Sequence, residues 1–148
     1  MSNYQAAIDR YISAHFVVTK GISAWITQIT PQTLTNEQYQ VLGVLYERKC
    51  CTSTELAEVF MVGKSSITAI ITRLVEHGYV KRASNTQDRR QIYLSLTMLG
   101  EEIFKESEAK LFDMISKVLV HFSADEIELF VSKYEKLAQI IGEGDHTS

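Results

Sequence analysis

The sequence predicts a mainly α-helical fold with one small β-hairpin, on three observations. Between Thr52 and His77, two short amphipathic segments are separated by the turn Met61-Val62-Gly63. From Tyr79 to Leu96, two β-prone runs flank a polar loop. On either side of this stretch, apolar residues recur at helical spacing over longer segments. A period near 3.6 almost everywhere, with alternation confined to one hairpin, is the pattern of helices carrying a single small β-element.

Each element has a local cause. Tyr4, Ile8, Tyr11, His15, Val18, Ile22, Trp25 and Ile29 follow a four-three stagger until Pro31 breaks the segment. A second helix is expected from near Thr35, ending at Cys50-Cys51. Thr52-x-x-Glu55 is a capping box, in which each side chain satisfies an orphan N–H at a helix start. It opens a helix whose apolar face is Leu56, Ala57, Val59 and Phe60. Met61-Val62-Gly63 is then a turn of the length that joins the two helices of a helix-turn-helix. The next helix, Lys64 to His77, places Ile67, Ile70, Ile71 and Leu74 on one stripe, with Lys64, Ser65, Thr68, Thr72 and Arg73 opposite. Gly78 ends it, since glycine takes left-handed φ without steric penalty. Tyr79-Val80-Lys81-Arg82 leads into a loop, Ala83 to Gln91, and the strand Ile92-Tyr93-Leu94-Ser95-Leu96 returns. Thr97 can cap a long helix with the stripe Leu111, Ile115, Val118, Leu119 and Phe122. Ser123-x-x-Glu126 opens a last helix carrying Ile127, Phe130, Val131, Tyr134, Leu137 and Ile141, and the chain frays from Gly142. The expected organisation is a winged helix-turn-helix core at 32–97, flanked by dimerisation helices at 1–31 and 98–148. The outer stripes need a partner surface, and isologous pairing of two copies is the commonest solution.

Charge is unevenly placed. The 148 residues carry a net charge of −3. Between positions 64 and 90, however, Lys64, Arg73, Lys81, Arg82, Arg89 and Arg90 face only Glu76 and Asp88, a local +4 that leaves −7 elsewhere. A basic segment within an acidic body is the electrostatic footprint of a surface that docks on phosphates while the remainder is repelled.

Other classes find little support. His15, His77, His121 and His146 are scattered, with no glycine-rich phosphate loop and no Cys-x-x-Cys or His-x-x-x-His spacing. No enzyme, metal or cofactor is therefore expected. Asp9 and Arg10 fall where a signal peptide needs an apolar core, and no apolar run approaches the ~20 residues that span a bilayer, so a cytoplasmic protein is expected.

The ordered set of motifs resembles the MarR family of winged-helix regulators. Its residues are Leu34-Thr35-x-x-Gln38-x-x-Val41-Leu42, Thr54-Glu55-Leu56-Ala57 and Val62-Gly63-Lys64-Ser65-Ser66-Ile67-Thr68. Leu74, Gly78, Val80-Lys81-Arg82, Asp88-Arg89-Arg90 and Leu94-Ser95-Leu96-Thr97-x-x-Gly100 continue it. Gly63 departs from the serine the family often has as helix N-cap, a change that costs only a few tenths of a kcal/mol. The resemblance implies an obligate homodimer on double-stranded DNA. Two helices related by a dyad then enter successive major grooves of a pseudo-palindrome.

Roles follow from residue chemistry. Ser65, Ser66 and Thr68 can hydrogen-bond base edges or pack on a thymine methyl, and Lys64 reaches guanine or phosphate. Thr72 and Arg73 lie a turn further on and grip phosphates, as do Lys81 and Arg82 at the start of the wing. Asp88 can orient Arg90 into a narrow minor groove, with Arg89 on the backbone. The resemblance further implies a repressor released by a small aromatic or lipophilic ligand, for which Tyr11, His15, Phe16, Trp25, Tyr39 and Tyr46 are the candidate pocket. Two alternatives are a redox-responsive regulator acting through Cys50 and Cys51, and a winged-helix module that binds protein. Redox-sensing relatives use a cysteine in the first helix, and here none precedes Cys50.

Overall fold

The computed structural model describes residues 2–84, 87–88 and 90–144. In chain order its elements are α1 (Ser2–Ile29), α2 (Asn36–Arg48), β1 (Cys51–Thr52), α3 (Ser53–Phe60), α4 (Lys64–Glu76), β2 (Val80–Ser84), β3 (Ile92–Leu96), α5 (Met98–Leu119) and α6 (Ala124–Gly144). The chain divides into two compact units, 1–111 and 112–148, with the boundary inside α5. This is the mainly helical, winged helix-turn-helix architecture anticipated from the sequence.

The first unit holds the core. Ile26, Leu34, Val41, Leu42, Leu45, Leu56, Ile67, Ile71, Leu74, Leu94 and Phe104 are all buried in it. Only the last turns of α1 contribute, through buried Ile26 and half-buried Ile22 packed against the core. Trp25 and Ile29, from the expected stripe, are half-buried, and Tyr4, Ile8, Tyr11 and Val18 are exposed. The helix stops before Pro31 because buried Thr30 turns back on it. Thr30 Oγ1 donates to the Ile26 carbonyl at 2.7 Å and accepts from Leu34 N at 2.9 Å. Thr35 and Gln38 then form a full capping box for α2, at 3.1 and 3.0 Å. That helix ends at Arg48, short of the cysteines, with Lys49 at φ 74°.

Cys51 and Thr52 are not a plain connector. They form a third strand, antiparallel to β3, with Cys51 opposite Leu94 and Thr52 opposite Tyr93. The sheet order is β1-β3-β2. Thr52 Oγ1 accepts from Glu55 N at 3.1 Å, and the described hydrogen bonds hold only this half of the expected capping box. Met61, at φ 52°, closes α3 with its own N–H on Glu58 and Val62 N–H on Ala57, the paired bonds of a Schellman motif. Gly63 begins α4 with no side-chain cap, and Ile67, Ile71 and Leu74 face the core while Ile70 is half-buried. At its far end Gly78, at φ 79°, lets Tyr79 N–H reach the Leu74 carbonyl at 3.0 Å.

Strand β2 extends through Ala83 and Ser84, expected from the sequence to lie in the loop, because they pair with Tyr93 and Ile92. Thr97 then locks α5 to the end of α4. Its hydroxyl donates to the Gly78 carbonyl at 2.6 Å and accepts from Gly100 N at 2.9 Å, and its N–H bonds the Tyr79 carbonyl at 3.0 Å. Gly100 lies so close that a Cβ there would run into the Tyr79 carbonyl.

In the second unit, Ser123 and Glu126 make both bonds of their capping box, at 3.2 and 3.0 Å. Those bonds hold the Glu126 carboxyl below its ordinary value, the Ser123 backbone N–H being the larger cause. No described residue of α6 is buried; Phe130 is 66% exposed, and Tyr134, Ile140 and Ile141 are exposed as well. The helix continues through Gly144 rather than fraying at Gly142, and 145–148 lie outside the described residues. Among the described residues, no helix is long and apolar enough to cross a membrane.

Candidate nucleic-acid interface

One surface gathers most of the predicted DNA-contacting residues. On α4, Lys64, Ser65, Ser66, Thr68 and Arg73 are exposed and Thr72 is half-exposed, opposite the buried Ile67-Ile71-Leu74 stripe. The apolar stripe fixes this phase, since burying one face of a helix obliges the other to meet solvent. The N-terminus of α4 leaves backbone N–H groups beside Ser65 and Ser66, a favourable place for an anion.

The wing is tied to this helix. Arg82 lies opposite Leu94 in the β2–β3 ladder, and its guanidinium donates to Thr72 Oγ1 at 3.4 Å. Side chains opposite each other in a ladder share a face, so Arg82 stands on the side of the sheet that packs toward the core, with its head at the α4 surface. Lys81, its neighbour, is exposed. Arg73 sits 3.7 Å from Glu76, an exposed pair of little energetic weight whose cation remains available to phosphate.

At the tip, Asp88 Oδ1 accepts from Arg90 N at 3.0 Å and lies 3.9 Å from Arg90 Nε. The Arg90 side chain is 97% exposed. Asp88 thus bends the backbone at Arg90 and sits beside the base of its guanidinium, leaving the terminal nitrogens outward. Arg89 was also expected here; it lies outside the described residues.

The six candidate pocket residues fall into separate groups. Tyr39 and Tyr46, on α2, lean on Phe104 of α5 with ring centroids 5.5 and 5.0 Å away. Burial pushes the Tyr39 phenol up to about 12, with the Glu108 charge adding to it. Tyr11 and His15 stack on each other on the exposed side of α1, Phe16 lies under Lys20, and Trp25 is half-buried. A recess of about 100 Å³ is lined by Leu45, Tyr46, Lys49, Leu96 and Glu101. That is below the several hundred Å³ of ordinary ligand pockets.

The cysteines differ sharply. Cys50 is exposed and Cys51 buried. Burial is the first cause that pushes the Cys51 thiol up, and the Glu55 charge adds to it. A raised thiol is a poor nucleophile at neutral pH, which supports a packing role for Cys51.

Sequence reasoning missed one residue of the exposed α4 face, and it named Thr97 and Gly100 only as a helix cap and as motif positions. Ala69 is exposed on the same face of α4, one turn beyond Ser65, and helical phase alone would have found it. Thr97 and Gly100 hold the far end of the same helix through their bonds and close approach to Gly78 and Tyr79.

A helix-turn-helix whose second helix is joined to a basic hairpin defines a winged helix-turn-helix protein. The sequence model of the MarR family matches residues 34–92. The HTH-type transcriptional regulator YpoP of Bacillus subtilis, itself uncharacterized, is 30% identical over 118 residues, 80% of this chain and 73% of its own. The crystal structure of YusO from Bacillus subtilis matches with TM-score 0.69 at 27% identity, over 93% of this chain and 96% of that one. A mutant of Escherichia coli MarR, crystallised with operator DNA, matches with TM-score 0.76 at 24% identity, over 88% and 95%. The chain belongs to the MarR family of transcriptional regulators.

Proposed function

We propose that this chain is a cytoplasmic, dimeric repressor that covers a pseudo-palindromic DNA operator and leaves it when a small aromatic or lipophilic ligand binds. The observation that carries DNA binding is the continuity of α4 with the wing, through the Arg82–Thr72 bond, in the segment 64–90 whose net charge is +4 within a chain of −3. Lys64, Ser65, Ser66 and Thr68 read bases; Thr72, Arg73, Lys81, Arg82 and Arg89 hold phosphates; Arg90, beside Asp88, enters the minor groove. That the E. coli MarR mutant of this fold was crystallised with operator DNA supports duplex binding here.

Residues 1–31 and 98–148 supply the dimer surface, and 32–97 the DNA reader. Support for this division comes from the apolar side chains that α1 and α6 leave exposed, Tyr4, Ile8 and Ile12 on one and Phe130, Tyr134 and Ile141 on the other. Repression needs no surface beyond the one that covers the promoter. Effector release rests on the family membership. Tyr39 and Tyr46, which meet on Phe104, would form one wall of the site, with Tyr11, His15, Phe16 and Trp25 joining it only when a second copy packs on α1.

Selection of bound sites from a random duplex pool tests the proposal. It is expected to return two inverted half-sites one helical turn apart, about 10 bp centre to centre. Recovery of no consensus would refute it. With the selected duplex in hand, Trp25 fluorescence on titration with aromatic acids, read alongside duplex release, tests the effector.

A further inference from the structure

The middle of α4 is short of long hydrogen-bonding side chains. From Ser65 to Thr72 its exposed or half-exposed positions are Ser65, Ser66, Thr68, Ala69, Ile70 and Thr72, with no Asn, Gln, Arg or Lys. The residues that read guanine or adenine through two parallel hydrogen bonds are therefore missing from this stretch of the helix. Both threonine hydroxyls are also engaged. Thr68 Oγ1 donates to the Lys64 carbonyl at 2.7 Å, and a hydroxyl has one proton to give. Thr72 Oγ1 receives the Arg82 guanidinium. What exposed Thr68 offers a base is its γ-methyl and a lone pair, and Ala69 beside it adds only a methyl.

Resting on the assignment of this chain as a duplex reader, we propose that the middle of α4 recognises its half-site by thymine C5 methyl groups, with Thr68 as the specificity-determining residue and Ala69 as its neighbour. Two apolar groups leaving water together gain in proportion to the area they hide, so one methyl discriminates roughly fourfold. A cytosine at the same place lacks the methyl, so the apolar contact with Thr68 and Ala69 is lost. The half-site is accordingly expected to carry thymine where Thr68 lies, with Ser65, Ser66 and Lys64 reading the base pairs beside it.

The test replaces thymines of the selected duplex by deoxyuridine, one symmetric pair at a time, which removes the methyl and nothing else. Affinity is measured by fluorescence anisotropy for the full-length chain and for Thr68→Val and Thr68→Ser. Valine keeps the methyl and discards the hydroxyl; serine does the reverse. One thymine pair is expected whose replacement, which removes one methyl from each half-site, weakens the wild type and Thr68→Val roughly fifteenfold, about fourfold per half-site, and Thr68→Ser by less than about twofold per half-site. Indifference of the wild type to every replacement, or full sensitivity in Thr68→Ser, overturns the proposal while leaving duplex binding intact. A chain that retains no duplex from the pool overturns the duplex-reader assignment itself, and this inference with it.

Discussion

Arg90 and Gly100 show how single residues carry opposite kinds of weight. Arg90 is almost fully exposed and contributes little to stability; its neighbour Asp88 holds its backbone and makes a long, solvent-screened ion pair with it. Arg90→Ala is therefore expected to leave the urea midpoint unchanged while weakening binding across all duplexes. The plot of log K against log salt is expected to become shallower by about 1 for each half-site in which the arginine is replaced. Gly100 has no freedom of that sort. Gly100→Ala forces a methyl into the Tyr79 carbonyl, so a loss of about 1–3 kcal/mol is expected by urea unfolding. Between these lie the cysteines. In the folded protein iodoacetamide is expected to label Cys50 well before Cys51, because one thiol is exposed and the other is buried with its pKa raised.

Among the elements, helix starts are the places where local chemistry is most decisive. Thr52→Ala removes the bond to Glu55 N and is expected to cost about 1 kcal/mol, whereas Gly63→Ser changes stability by only a few tenths. At α6 the cap is titratable. Glu126 in the folded chain lies below its usual 4.5, so its stabilising bonds are complete above that value and are lost as pH falls through the folded pKa. The protection of the Ser123 amide against exchange, taken relative to its unstructured rate at each pH from about 6 to 3, is expected to fall below 4.5 in the wild type and to show no such pH step in Glu126→Gln. Because these caps and periodicities are local, the bounds of α3, α4 and β3 could be read from the sequence to within a residue or so. Long-range partners could not. Strand β1 is two residues whose only reason to be extended is the edge of β3, and nothing in Cys51-Thr52 announces that neighbour. Ile26 was hidden by a stripe that placed Trp25 and Ile29 on the inside, because only the last turns of α1 meet the core. The residues of the candidate interface were legible for a complementary reason. A helix face that cannot be buried must carry its polar residues in phase, and glycine and aspartate mark the turns that aim it.

For the whole molecule the decisive property is the contrast between a positive segment at 64–90, the proposed DNA reader, and an acidic remainder that exposes apolar helices. A second copy covering α1 and α6 is expected to make the chain sediment as a dimer at micromolar concentration. Phe130→Glu, on exposed α6, is expected to shift it toward monomer without unfolding the first unit. Such a monomer offers one reading helix, and its affinity for a two-fold site should fall by orders of magnitude, since engagement of the second half-site is no longer intramolecular. The most direct measurement is the affinity of the full chain for its selected duplex across a salt series. With about four or more phosphates neutralised by the cations of two α4–wing surfaces, log K is expected to fall linearly with log salt at a slope of roughly −4 or steeper. A flat dependence, or no binding even at the lowest salt, would contradict it.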